Sequence, residues 1–468
     1  MKIASLSAEN VHGYLPINVE FFDDLTFLIG LNGSGKTSAL RLLMALLTPN
    51  IDDLGSISFS KAVATVHEGE EKYAVVAEKS SEGVTLSVVP GPSDLKLTTS
   101  ELELYMEARR HEEPRSPTQD KIQAHPVFQR IRAISTPMFL GLDRRFYAPG
   151  PIQEDINEAR RREMLARRYT SDDPSRSGAL RALVEVNFLV VTRMQEVRAA
   201  QEQLDENLRA QFFAKAFEYK PSEIGASARL PSKVEIERYR EQLTKIERAA
   251  EGVKIPVPEI QTALTHFFER MGRIVDAMDR TSQLKQSARK SGRRHNERAS
   301  AALSIPDKDY IEWIINKPQA DRILEHLSLL DEYIENRNAL RDPITRFLSL
   351  VNSFFSQTKK LVAVAPSGHL TVALAGNPEP RPITALSSGE RQLLVMIAHL
   401  SLNPNLIGSG VFIVDEPELS LHIDWQERFV DAIREANPNV QLILATHSPA
   451  IILDREAACR NLCEVAHA

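Results

Sequence analysis

The chain has 468 residues, 43% of them hydrophobic and 26% charged, with a net charge of −6. A length of this order suits several domains and a large core that needs no cross-links, and two cysteines exclude a disulfide-stapled scaffold. No apolar run approaches the ~20 residues of a membrane-spanning helix, and Met1–Asn10 lacks the charged-then-apolar pattern of a secretory leader, so a soluble cytoplasmic protein without a membrane partner is expected.

In chain order, Lys2–Ala8, Ile17–Phe22 and Leu25–Ile29 alternate or cluster their apolar residues as strands do. Ser38–Leu47 reads as an apolar helix ending at Thr48-Pro49-Asn50. Ser56–Val66, Lys72–Glu78 and Gly83–Val89 are predicted strands, Arg109–Gln123 a polar loop or short helix, and Thr136–Leu142 a buried strand. After Pro149-Gly150-Pro151 the composition changes. Residues 151–350 carry 34 basic against 32 acidic side chains, whereas the remainder carries 23 against 31. Glu154–Arg168, Ser177–Tyr219, Ser232–Glu251, Glu259–Lys285 and Tyr310–Phe355 read as charged helices without a sustained heptad register. From Lys360 strand signals return. Val362–Ala365 and Leu370–Ala373 form a predicted hairpin, and Glu390–Leu402, Gly410–Val414, His422–Ala436 and Val440–Thr446 alternate as helix, strand, helix, strand. Alternation of this kind predicts an α/β fold with a parallel sheet. Three segments follow: 1–150, a helical insertion over 151–345, and 346–468.

Gly30-Leu31-Asn32-Gly33-Ser34-Gly35-Lys36-Thr37 fits the P-loop pattern, placed between an apolar strand and a helix that Ser38 continues. Glycines let main-chain N–H groups wrap phosphate oxygens, and the helix N-terminus adds partial positive charge. Lys36 is placed to neutralise the outer phosphates and the Thr37 hydroxyl to bind Mg²⁺. Val411–Val414 is an apolar strand that delivers two carboxylates, Asp415 toward the metal and Glu416 toward the attacking water. A second apolar strand, Leu442–Ala445, ends at Thr446-His447-Ser448, and His447 is the candidate to contact the outermost phosphate or the water.

Together with Leu386-Ser387-Ser388-Gly389-Glu390-Arg391-Gln392, which looks like a signature motif opening a helix, these residues resemble the ABC-type ATPases. The resemblance implies a P-loop NTPase core of mixed sheet plus an antiparallel β subdomain, split by the helical insertion, with ATP and Mg²⁺ as cofactors. It implies nucleotide contacts from Asn32–Ser38 and from Ser387, Ser388, Gly389 and Glu390, metal contacts from Thr37 and Asp415, and catalysis by Glu416, His447 and Lys36. It also implies a head-to-tail homodimer or higher homo-oligomer, with Ser420 of the segment Glu418–His422 at the seam. More narrowly, Asp415-Glu416-Pro417-Glu418 and Ala445-Thr446-His447-Ser448-Pro449 resemble RecF/SMC-like and OLD-like ATPases, among them the ATPase subunits of the Septu, PARIS and retron-linked defence systems. That likeness implies a sensor or scaffold for a separate nuclease or toxin. The alternative it leaves open is a RecF-like DNA-repair or chromosome-maintenance ATPase. Asn10-Val11-His12-Gly13-Tyr14 stands where many relatives carry Asn-Phe-Arg, and Gln123 and Gln129 are candidates for a Q-loop glutamine by position.

Lys285, Arg289, Lys290, Arg293, Arg294 and Arg298 lie within fourteen residues. Such a cluster either contacts nucleic-acid phosphates or forms a solvated loop. Cys459, Cys463 and His467 recur every four residues and read as reduced thiols with a neighbouring histidine, not as a zinc site.

Overall fold

The computed structural model describes residues 1–48, 50–110, 117–134, 137–141, 146–147, 174–218, 262–263, 265–277, 308–404, 406 and 410–462. The described residues divide into two compact units, Met1–Gln195 with Pro343–Ala468, and Glu196–Asp342.

The first unit holds three sheets. Its antiparallel sheet takes β1 (Lys2–Val11), β2 (Leu15–Glu20), β4 (Lys61–Glu68), β5 (Glu71–Ser80), β6 (Gly83–Val89) and β7 (Leu95–Thr98) in the order β2-β1-β4-β5-β6-β7. Burial alternates along these strands: Ala62, Ala64 and Val66 of β4, Val75 and Ala77 of β5, and Val84, Leu86 and Val88 of β6 all point to one core. Helix α1 (Lys36–Leu47) belongs to that core through Ala39, Leu40, Leu43, Leu46 and Leu47. Sequence periodicity misplaces two details here. The strand predicted over Ser56–Val66 begins only at Lys61, and Ser56 closes an unpredicted helix, Ile51–Ser56, in which the Asn50 side chain caps the Asp52 N–H and two aspartates occupy the first turn. The four-residue β7 and the helix Thr99–Arg110 that follows were not anticipated.

The second sheet is parallel except at one edge. It takes β3 (Leu25–Ile29), β8 (Met138–Leu140), β9 (Phe146–Tyr147), β13 (Gly410–Asp415), β14 (Val440–Ala445) and β15 (Cys459–Asn461) in the order β15-β3-β14-β13-β8-β9, with only β8 and β9 antiparallel. All six residues of β13 and of β14 are buried, as strands covered on both faces require. The α/β class predicted from the alternation is therefore the observed one. The third sheet, β10 (Lys360–Val364), β11 (Leu370–Leu374) and β12 (Asn377–Pro382), is antiparallel and contains the predicted hairpin.

In the second unit, the cores of the helices are Phe268, Met271, Ile274, Val275, Trp313, Leu324 and Leu327. Arg270 bonds Glu312 through two nitrogens at 2.8 and 2.7 Å, and the Tyr333 hydroxyl donates to Asp205 at 2.5 Å. Among the described residues, no helix is long and apolar enough to cross a membrane. The basic cluster Lys285–Arg298, the predicted helices Glu154–Arg168 and Ser232–Glu251, and Cys463 with His467 lie outside the described residues.

Candidate active site

Strands β3, β14 and β13 lie side by side and parallel, so their C-terminal ends open onto one edge. Leu28 pairs with Ala445, and Ala445 with Asp415. Thr446 N–H donates to Leu28 O at 3.2 Å and Glu416 N–H to Ala445 O at 2.8 Å, which extends the ladder one step past each strand. The loop 30–35, the turn 416–420 and the turn 446–448 thus leave the sheet as neighbours.

The loop needs its glycines. Gly35 has φ +91° and a Cβ there would run into Leu15 Cδ2; Gly33 has φ +85°. Gly35 is the N-cap of α1, offers no side-chain cap, and no acidic residue occupies the first turn. The first N–H groups of α1 therefore lack the usual side-chain acceptor, the condition that suits an anion. The Lys36 side chain folds back over the loop, with Nζ donating to Gly30 O at 2.9 Å and Leu31 O at 3.3 Å. Asn32 and Gly33 form the exposed crest of the loop.

Asp415 is 3% exposed, and neither carboxylate oxygen has a well-formed hydrogen bond. Burial pushes its carboxyl up to about 6, helped by Glu416 and Glu418 and opposed by the Thr37 hydroxyl and Lys36. The buried Ser34 hydroxyl is likewise without a partner. Two orphaned carboxylate oxygens, with the Thr37 hydroxyl bearing on them, are oxygen donors of the kind a hard divalent cation takes. The residues present thus fit Mg²⁺ and a polyphosphate. Glu416 sits one residue beyond, half-buried, in the left-handed region at φ +48°. His447 is exposed at the end of β14.

Ser387 caps the helix Ser388–Leu402, and Glu390 completes a capping box: Ser387 Oγ accepts from Glu390 N and Glu390 Oε2 accepts from Ser387 N at 2.7 Å. Ser387 and Ser388 are exposed and Gly389 is buried. Glu390, expected among the nucleotide contacts, turns inward instead. Its oxygens accept Lys360 Nζ at 2.9 and 2.6 Å and Thr358 Oγ1 at 3.0 Å. Burial favours its neutral form, but Lys360, the Ser387 N–H and the Thr358 hydroxyl outweigh that, and its carboxyl lies below the ordinary value.

Two residues that lie in segments singled out from the sequence, but with no role of their own assigned there, make contacts around the site. Glu418 accepts hydrogen bonds from Thr446 and from the His447 main chain. His12, in the left-handed turn between β1 and β2, places Nε2 2.8 Å from Ser38 Oγ on the first turn of α1. Gln123 and Gln129 lie exposed on the helices Pro117–Ala124 and Pro126–Ala133.

Comparison with known proteins gives the same neighbourhood. The chain is 28% identical over 163 residues to the retron Vc95 probable ATPase of Vibrio cholerae, covering 31% of each protein, and 35% identical over 78 residues to the retron Ec83 probable ATPase of Escherichia coli, covering 15% of this chain and 14% of that one. The matches thus span less than a third of those relatives. Among solved structures, the Smc head domain of Pyrococcus furiosus bound to the C-terminal domain of ScpA aligns over 98% of this chain and 93% of that one, at 13% identity and a TM-score of 0.36. The SMC head domain of Thermotoga maritima aligns over 98% and 94%, at 12% identity and a TM-score of 0.36. A family model described as "AAA domain, putative AbiEii toxin, Type IV TA system" matches residues 288–454. A second AAA domain model matches residues 5–349, most of the chain, and the chain therefore belongs to that AAA domain family.

Proposed function

We propose that the chain binds and hydrolyses ATP with Mg²⁺, dimerises head to tail on ATP, and acts as the sensor or scaffold for a separate nuclease or toxin in anti-phage defence. The observation that carries the reading is the pairing of an uncapped helix N-terminus with a buried Asp415 carboxylate that has no well-formed hydrogen bond, at one sheet edge. The likeness to two retron ATPases supports the defence role.

Loop N–H groups and Lys36 hold the phosphates, and Thr37 with Asp415 hold the cation, which supplies charge neutralisation when bound. Glu416 orients the attacking water and accepts its proton. His447 orders the same water or the outermost phosphate. Ser388 and the Gly389 N–H, at a second helix N-terminus, complete the site of a partner copy. ATP then lies between two copies, and its loss separates them.

Glu416→Gln removes the proton acceptor and keeps the shape. Turnover is expected to fall at least ~10²-fold, while ATP accumulates a dimer seen by size-exclusion chromatography with light scattering. A variant that stays monomeric and turns over normally overturns the mechanism.

A further inference from the structure

One carboxylate ties together the two turns that follow β13 and β14. Glu418 accepts the Thr446 hydroxyl at 2.9 and 3.0 Å to its two oxygens, and the His447 main-chain N–H at 2.7 Å. Thr446 Oγ1 also accepts the Ser448 N–H at 3.0 Å, so its own hydrogen is directed to the carboxylate. The Ser448 hydroxyl donates to Gln426 Oε1 at 2.6 Å, and Gln426 Nε2 returns to Leu421 O at 2.9 Å. These bonds close a ring through both turns and the start of the helix Ile423–Ala436.

Within this ring Glu418 is the one member that bears a carboxyl group, and bonds to a carboxylate are shorter and stronger than those between neutral groups. Thr446 is 0% exposed while His447 is exposed. The main chain at 446–448 is therefore fixed from inside, and the imidazole projects from it outward. Nothing in the phosphate chemistry calls on Glu418 itself. Its oxygens are spent on the neighbouring turn.

We infer that Glu418 is a positioning residue for His447. Its carboxylate fixes the main chain that carries the imidazole, and makes that placement depend on the turn Pro417–Ser420. Only the kinetic consequence rests on the proposed ATP hydrolysis; the clamp belongs to the nucleotide-free chain.

The test has two arms, both on the full chain. In the first, amide hydrogen exchange is followed without nucleotide for wild type, Glu418→Gln and Glu418→Ala. Loss of a charge-assisted bond is expected to speed exchange at His447 and Ser448 roughly tenfold or more in Glu418→Ala, with Glu418→Gln between the two and the strands unchanged. Unaltered exchange at 446–448 overturns the clamp. In the second, Glu418→Ala is expected to lower kcat about 10²-fold with the KM for ATP held within about twofold. The double variant with His447→Ala is then no slower than His447→Ala alone, because both changes remove one action. Multiplied losses, or a raised KM with kcat intact, overturn the positioning role. Glu418→Gln keeps volume and one acceptor and guards against misfolding. If wild type does not hydrolyse ATP, or Lys36→Ala matches it, the proposed function fails, and the exchange arm still decides the clamp.

Discussion

Asp415 concentrates the tension of the site. Its carboxyl titrates at about 6 in place of 3.8, because burial disfavours the charge. The folded, nucleotide-free chain therefore holds this proton more tightly than the unfolded chain does. The penalty is absent below the unfolded value, grows as pH rises from about 4 to about 6, and is constant above, at up to about 3 kcal/mol. Asp415→Asn is expected to raise the melting temperature of the metal-free protein at pH 7.5, to give no gain at pH 4, and to remove the stabilisation by MgATP; thermal melts at the two pH values check all three. The same scale sets what could be read from letters alone. Lys36, Thr37, Asp415 and Glu416 stand in short local patterns whose chemistry is carried by neighbours in sequence. Glu418 bonds a residue 28 positions away and His12 one 26 positions away. No pattern within a single turn announces such a pair.

Among elements, the helix Ser388–Leu402 depends most on distant support. Its N-terminal Glu390 is buried against Lys360, and the pair is 3% and 20% exposed in its side chains. Removing the cation strands a buried carboxylate, which typically costs about 3–5 kcal/mol, whereas neutralising both partners costs far less. Lys360→Met is therefore expected to lower the urea midpoint sharply, and Lys360→Met with Glu390→Gln to recover most of it. Equal losses in the single and double variants would contradict the pairing. The helix itself was legible, since its apolar run Leu393–Ala398 is continuous and Ser387 stands three residues before Glu390. The inward turn of Glu390 was not, because Lys360 lies 30 residues upstream on β10. The short helix Ile51–Ser56 was missed for the opposite reason. Its signal, a side-chain cap at Asn50 with two aspartates in the first turn, is local but spans only six residues.

At the scale of the molecule, the two tryptophans fall one to each unit. Trp313 is 0% exposed in the core of Glu196–Asp342, and Trp425 is 5% exposed in the unit that holds the phosphate loop, with Nε1 donating to Gln357 at 2.7 Å. Trp313→Phe and Trp425→Phe each leave one fluorescent reporter. In urea, MgATP is expected to raise the midpoint reported by Trp425 and to leave that of Trp313 in place, since a ligand stabilises what it binds. Equal shifts would mean that both units unfold as one body. The order of the parallel sheet has a further consequence, for biosynthesis. The antiparallel sheet pairs strands within residues 2–98 and can close early, but β3 has both its neighbours, β14 and β15, in residues 440–461. At ordinary translation rates those partners leave the ribosome roughly 20–80 s after β3 does. For that interval the nascent chain carries an apolar strand with two open edges, a natural client for chaperones. It displays the P-loop sequence before β13 and β14 exist to set Asp415 and Thr446 beside it, so a ribosome stalled in the helical segment is expected to release a product that does not bind ATP.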